Sequence, residues 1–263
     1  MFKFDNDENF GRIARLKIIG VGDFGAKMIN YAIANVLLNV EFAVVATNSD
    51  PLLHSSAPQR IKLSDTTDEE TRKNLSERIK DLDLLFIFTD LSDENISTQL
   101  AELSKDILTV AIVPESAPNK ENFQNLVDSL IAVDDDNIFL MYNVVRGISN
   151  LITEPQIVGL DFADVNEFLR NSGRGYVAYG RASGEIDAMS TAINSMKDIL
   201  RKSKRILLCV IDCIEVLSMG EINKAYNLIE YAAHPDSEII WSVKTDSTII
   251  EYVEVIIIAS PEQ

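Results

Sequence analysis

RLKIIGVGDFGAKMINYAIANVLLNVEFAVVATNSD, residues 15–50, is the stretch from which the fold follows. RLKIIGVG (15–22) is a continuous apolar run of strand length that ends in a glycine turn. AKMINYAIANVLL (26–38) has helical period, and VEFAVVATN (40–48) is a second apolar strand. A strand apolar along its whole length needs cover on both faces, and strands of this kind separated by helices indicate a parallel sheet.

The alternation continues. DLLFIFTD (83–90) and ILTVAIVPE (107–115) read as buried strands, with ENISTQLAELSKD (94–106) as the helix between them. FQNLVDSL (123–130) reads as a helix and LIAVDD (130–135) as a strand. From Asn137, Ile138, Met141, Val145, Ile148 and Ile152 recur at three- and four-residue spacing, which predicts a helix ended by Pro155. The period then changes. GYVAYGRAS (175–183) reads as a strand, EIDAMSTAINSMKDILRK (185–202) as one long helix, and RILLCVIDCIEVL (205–217) as a strand. MGEINKAYNLIEYAA (219–233), EIIWSVKTD (238–246) and YVEVIIIAS (252–260) add helix, strand and strand. The expected organisation is an α/β domain over 1–136, a central helix and following loop over 137–173, and a smaller α+β domain over 174–263.

The charge balance narrows the partners. Twenty-four Lys and Arg against 41 Asp and Glu give a formal net charge of −17, which argues against nucleic acid or an anionic membrane surface. With 46% hydrophobic and 25% charged residues the chain has the composition of a folded globular protein. The N-terminal MFKFDNDENFG is acidic and lacks the apolar segment of a signal peptide, and no apolar run reaches the length of a membrane span. The expectation is a cytoplasmic protein without direct membrane contact. Cys209 and Cys213 lie in one short apolar run and read as buried free thiols.

Gly20-Val21-Gly22-Asp23-Phe24-Gly25 joins a strand to a helix and matches GxGxxG, with Asp50 beyond the next strand as a ribose-binding acid. Read alone, the motif is equally a phosphate cradle at a helix N-terminus or a tight turn that needs small residues for packing. The acid follows its strand instead of ending it, and no residue pair suits hydride transfer. A Rossmann-type cofactor enzyme is therefore the weakest of three functional readings.

Several segments, in one order, resemble the FtsZ family of tubulin-related GTPases of bacterial cell division. KIIGVG (17–22) is similar to the family's opening strand and ATNSD (46–50) to its Asn-Thr-Asp loop. RGISNLIT (146–153) and LDFADV (160–165) resemble the end of the central helix and the synergy loop. GRASGE (180–185) and YAAHPDSEIIW (231–241) resemble the C-terminal domain. The resemblance runs from about Arg15 to Ser260 and implies a tubulin/FtsZ-like fold: a parallel-sheet, Rossmann-like N-terminal domain, a central helix and a smaller α+β domain.

The departures bear on function. Asp23, Phe24 and Ala26 replace glycines of the family's first loop, and Lys27 stands where Asn is usual. The family's Gly-Gly-Gly-Thr-Gly-Thr-Gly signature is replaced after DLLFIF by Thr89-Asp90-Leu91-Ser92-Asp93-Glu94-Asn95-Ile96-Ser97, without glycine. Glycine lets backbone N–H groups wrap phosphates, whereas Asp90, Asp93 and Glu94 would set carboxylates in their place. Like charges at about 4 Å cost about 4 kcal/mol at an effective dielectric of about 20, unless Mg²⁺ bridges them. The alternative is that Ser92 or Asp93 caps the following helix. A short, charged LSDTTDEETRKN (63–74) replaces another glycine-rich loop, and Pro114-Glu115-Ser116-Ala117-Pro118 replaces the Glu-Gly-Arg-Arg segment. Counted back from Gly147, the central helix lacks the family's guanine-holding aromatic and Asn or Asp.

The synergy loop keeps Asp161 and Asp164, while Gly159 replaces the family's Asn. In the family these acids act on the nucleotide of the next subunit. Here they read equally as a remnant that acts in trans or as the N-cap and first-turn acid of DVNEFLRN (164–171). Three readings of function follow. The first is a filament-interaction protein that has lost GTP binding and hydrolysis and contacts itself or an FtsZ-type partner. The second is a GTPase with a remodelled pocket, in which Gly20, Gly22, Gly25 and Asn48 are the surviving GTP/GDP contacts. The third is the cofactor enzyme above.

No other constellation stands out. His54 and His234 are isolated, so no metal site is expected, and Trp241 reads as core. Arg201, Lys202, Lys204 and Arg205 read as a solvated helix end. The sequence given ends at Gln263, soon after the last strand, which under the resemblance implies no linker and no C-terminal peptide for membrane tethers.

Overall fold

The computed structural model describes residues 14–63, 69–154, 160–212, 219–246, 249 and 251–261. Pro155 as a helix stop, Gly159, Cys213 and the end of the 205–217 strand lie outside the described residues, as do 64–68 of the charged loop. The first half runs β1 (Leu16–Val21), α1 (Gly22–Ala34), β2 (Val40–Ala46), α2 (Asp50–Leu53), β3 (Gln59–Lys62) and α3 (Glu69–Ile79). It continues with β4 (Leu84–Phe88), α4 (Glu94–Leu103), β5 (Leu108–Pro114), α5 (Lys120–Gln124) and β6 (Ser129–Val133). A central α6 (Ile138–Thr153) and a short α7 (Phe162–Leu169) lead to β7 (Gly173–Ala182), α8 (Glu185–Ser195), α9 (Lys197–Leu200) and β8 (Ser203–Asp212). α10 (Met219–Ala232), β9 (Glu238–Thr245) and β10 (Val253–Pro261) follow.

The strands lie in the order β3-β2-β1-β4-β5-β6-β7-β10-β8-β9. β1 to β6 are parallel, as the continuous apolar runs require, and β7 joins them through Ser129↔Gly173 to Ile131↔Gly175. β7 then pairs antiparallel with β10, so one strand belongs to both halves of the sheet. β10 pairs antiparallel with β8, and β8 lies parallel to β9.

Three apolar cores follow from this arrangement. α3, α4 and α5 cover one face of the parallel strands through Leu75, Ile96, Leu100 and Phe123. α1, α6 and α7 cover the other face, and the same core takes in Leu207, Cys209, Ile211, Ile256 and Ile258 of β8 and β10. α6 is therefore buried between two sheet faces, which explains its long apolar period. α8 and α10 close the outer face of the second half. No helix among the described residues is long and apolar enough to cross a membrane.

The boundaries differ from the sequence reading in instructive places. α1 begins at Gly22, directly at the end of β1, because glycines there tolerate the close approach of helix and strand. The 185–202 segment is two helices, broken at Met196 with φ −137°. The 123–130 segment is helical only to Gln124, and Ser129–Val133 is already strand. β3, α2 and α3 were not expected. α3 looks like a charged loop, yet Thr71, Leu75 and Ile79 recur every four residues and form its buried stripe.

Polar contacts tie α6 to the second half. Arg146 Nη1 meets Glu254 Oε2 at 2.6 Å, and Tyr179 Oη donates to the other Glu254 oxygen at 2.6 Å. Lys244 of β9 pairs with Glu154 just past the C-terminus of α6. The Cys209 Sγ lies 3.7 Å from Gly147 O and is 4% exposed. Burial pushes this thiol up to about 12, against a smaller opposing pull from Arg146. An ordinary thiol, near about 8.5, reacts readily at mildly alkaline pH. In a Cys213→Ser variant, Cys209 is expected to resist a thiol reagent at that pH until the chain is unfolded. Labelling followed by mass spectrometry checks this.

Candidate functional site

The strand order reverses direction between β1 and β4, and the loops at the C-terminal ends of these strands border a crevice. β1 delivers the glycine turn, β2 delivers Thr47 and Asn48, and β4 delivers residues 89–93. A hollow of about 600 Å³ beside them is lined by Thr47, Ser92, Asp93, Glu94, Asn95, Ile96 and Thr98.

The four residues expected to contact a nucleotide occupy different situations. A Cβ on Gly20 would lie 2.4 Å from Gly25 O, and one on Gly25 would lie 2.3 Å from the Gly20 carbonyl carbon. These two glycines meet backbone to backbone, so helix-on-strand packing by itself requires them. Gly22 has φ +65°, and a Cβ there would meet Asp93 Oδ2 at 3.3 Å and Ser92 Oγ at 3.9 Å. Of the three, only Gly22 faces residues that line the hollow. Asn48 is exposed on the bend after β2 and is not part of the lining.

The turn that replaces the glycine signature is stitched together by its own side chains. Thr89 is fully buried; its hydroxyl bonds Ser97 Oγ at 2.8 Å and accepts from Leu91 N at 2.9 Å. Leu91 is buried with φ +60°, a conformation that glycine adopts more cheaply. Asp90 turns back to accept from Ser92 N at 3.0 Å and Ser92 Oγ at 2.6 Å, so it is not among the lining carboxylates. Glu94 accepts from Asn119 Nδ2 at 3.0 Å. Asp93 holds the N-cap position of α4, yet its side chain makes no capping bond, contrary to the sequence expectation. Its carboxylate reaches across to Gly22 and accepts from Thr47 Oγ1 at 3.4 Å.

The charged groups of this lining are acidic. It contains two carboxylates and no Lys or Arg. Lys62 of β3 donates to Ser49 Oγ at 2.9 Å and is not part of it. No group of three or more His, Cys, Asp or Glu able to hold a metal ion occurs among the described residues. The loop after β5 is pinned elsewhere: Ser116 N donates to Asp135 at 3.0 Å, and Arg174 Nη2 donates to both oxygens of Glu115 at 2.8 Å. The central helix does carry an aromatic and an Asn four residues apart, Phe139 and Asn143. Asn143 is fully buried, donates to Phe139 O and accepts from Arg146, and Phe139 packs edge-on against Tyr179 at 4.8 Å.

Asp161 and Asp164 lie on the connection from α6 to β7, which returns the chain to the start of β6 and so toward the opposite edge of the sheet. They form a capping box. Asp161 Oδ1 accepts from Asp164 N at 2.9 Å, and Asp164 Oδ2 accepts from Asp161 N at 3.0 Å. Both are exposed. Arg205 of β8 donates to the carbonyls of Phe168 and Arg170 and closes the other end of α7. It is thus a cap for a neighbouring helix, where the sequence reading had a solvated patch.

No protein-family model matches the chain. It is 28% identical to the cell division protein FtsZ of Neisseria gonorrhoeae over 308 residues, which cover 95% of this chain and 78% of that protein. The FtsZ of Neisseria meningitidis matches to the same extent. Among solved structures, the empty FtsZ dimer of M. jannaschii superposes with a TM-score of 0.81 at 21% identity, over 95% of this chain and 89% of that one. CetZ of Methanosaeta thermophila superposes with a TM-score of 0.65 at 16% identity, over 94% of this chain and 86% of that one. GDP-form protofilaments of Bacillus thuringiensis TubZ give 0.66 at 13% identity, over 94% and 84%. The matched 308 residues exceed the 263 of this chain, so at least 45 positions of the relative have no counterpart here.

Proposed function

Because the chain is an FtsZ homologue of the tubulin/FtsZ fold, we propose that it is a filament-interaction protein without GTP binding or hydrolysis, making head-to-tail contacts with itself or an FtsZ-type partner. One observation carries this reading: the crevice at the strand ends is lined by Asp93 and Glu94 and by no cationic side chain. The dimer and protofilament structures among its neighbours support assembly as the mode of action, and the relatives' names support a part in cell division. Head-to-tail contacts are heterologous and build open filaments, so a subunit altered on one edge can cap or modulate a polymer from the other. Its place would be the cytoplasm, where an FtsZ-type partner would meet it.

The second reading, a GTP-binding protein with a remodelled site, is favoured by Gly22, which has φ +65° and faces Ser92 and Asp93 of the lining. Titration calorimetry with GTP and GDP in Mg²⁺ separates the two. No heat of binding up to millimolar nucleotide is expected, and micromolar guanine-specific binding would establish the second reading instead.

The lower edge is tested without harm to the fold. Asn caps helices about as well as Asp, whereas Ala at a cap costs about 1 kcal/mol. Asp161→Ala should therefore lower stability by about that amount in urea unfolding. Asp161→Asn/Asp164→Asn should keep the stability but remove the charges. If these acids act in trans, wild type will change the pelletable mass of an FtsZ-type polymer and the Asn pair will not. Equal effects from both proteins would remove Asp161 and Asp164 from the contact.

A further inference from the structure

We infer that Asp93 is a built-in substitute for a bound phosphate, a positioning residue whose carboxylate holds the crevice together with no ligand. The inference rests on the reading that nucleotide binding has been lost, and it adds what took the nucleotide's place.

Three elements meet at this carboxylate. Asp93 belongs to the start of α4, Thr47 to the end of β2, and Gly22 to the turn between β1 and α1. The lack of a capping bond is informative. An Asp at an N-cap position ordinarily accepts from the N–H groups two or three residues on. Asp93 occupies that position, makes no such bond, and faces the neighbouring turn instead.

The receiving side is complementary. α1 starts at Gly22 without a side-chain cap, its N-cap residue being Val21, so its first N–H groups take no bond from the cap position, and Asp23 is the acid of its own first turn. An anion is favourable there, and Asp93 Oδ2 lies 3.3 Å from where a Gly22 Cβ would be. Any larger residue at 22 would crowd that oxygen and strain a backbone at φ +65°. Glycine at 22 thus has a use in this chain that needs no nucleotide. Thr47 Oγ1 adds a donor from the third element, 3.4 Å from Oδ1. The turn that aims Asp93 is fixed in turn by Thr89, Ser97 and the Asp90–Ser92 bonds.

A crevice braced by its own side chain stays in one state, whereas one braced by a ligand cycles with occupancy. Thermal unfolding of the full chain, with inorganic pyrophosphate or with GTP and Mg²⁺, tests this. Wild type should show no shift in Tm with either additive. Asp93→Ala should melt roughly 5 °C lower and recover at least half of the loss in millimolar pyrophosphate. Asp93→Asn, which keeps the shape and an acceptor for Thr47, should fall less and also respond to pyrophosphate. An Asp93→Ala protein as stable as wild type, or one destabilised but indifferent to pyrophosphate, would overturn the inference. Stabilisation of wild type by GTP would overturn the loss of nucleotide binding itself, and it reads out in a separate arm.

Discussion

Glu254→Ala is expected to lower the unfolding free energy by about 3–5 kcal/mol, the largest single-residue loss we foresee outside the apolar core. Glu254 sits on β10 with its side chain 7% exposed and Arg146 of α6 2.6 Å away, itself 16% exposed. Truncation would leave the guanidinium enclosed without its counter-charge, and Tyr179 would lose its 2.6 Å acceptor. Partial burial and the bond to Glu254 together push the Tyr179 phenol above its ordinary value, a sign that this oxygen holds its proton for the carboxylate. Removal of both charges should be milder than removal of one, because the cost lies in the unpaired ion. Arg146→Met/Glu254→Ala should therefore be more stable than Glu254→Ala by at least about 1 kcal/mol in a double-mutant cycle. Strict additivity of the two losses would show that the pair is worth little and that the single loss reflects packing.

Gly25→Ala should be damaging for a reason that helix propensity gets backwards. In a free helix interior the exchange gains about 1 kcal/mol. Here the new methyl would lie 2.3 Å from the Gly20 carbonyl carbon, 2.5 Å from Gly20 Cα and 2.9 Å from Phe88 O. All three are backbone atoms of β1 and β4, the strands at the centre of the first half, and none can swing aside. Separation of α1 from β1 should cost about 3 kcal/mol net, or a Tm roughly 6–12 °C lower. The loss should be the same with and without GTP, since it is a packing loss. A variant that keeps wild-type stability would mean that the glycine serves something other than packing.

These two residues show what was legible beforehand. The glycine run was visible at once, but GxGxxG gives no sign of whether a glycine faces a ligand or a neighbouring backbone. That depends on strand β4, more than sixty residues later in the chain. The parallel sheet, the central helix and the α+β second half followed from periods of two kinds and from continuous apolar runs. α3 escaped because only Thr71, Leu75 and Ile79 carry its buried stripe in a segment otherwise charged. The long 185–202 period concealed a break, since both halves present apolar residues to the same core. At the candidate site, the acidic character of 90–94 was readable from the residues. Which of the three acids would line the hollow was not: Asp90 is turned back onto Ser92, whereas Asp93 and Glu94 both line it, Glu94 bonded to Asn119 and Asp93 without a capping bond. Such choices are made by hydrogen bonds between segments distant in sequence. Asp161 and Asp164 are the opposite case, because a capping box is local and its spacing of three is written in the chain.

The double membership of β7 has a mechanical consequence. Its first residues pair with β6 over three positions, Gly173 to Gly175, whereas its later residues pair with β10 over seven, Tyr176 to Ala182. If a subunit is pulled at opposite ends, as in any polymer under load, tension between its halves crosses this strand as well as the core that α6 shares with β8 and β10. The short parallel ladder is then the seam that shears first, and the longer antiparallel ladder stays with the second half. Arg146–Glu254 and Lys244–Glu154 tie α6 to β10 and β9 like rivets across a joint, so parting the halves would have to break these side-chain pairs on one helix and its flank together with the apolar core they share.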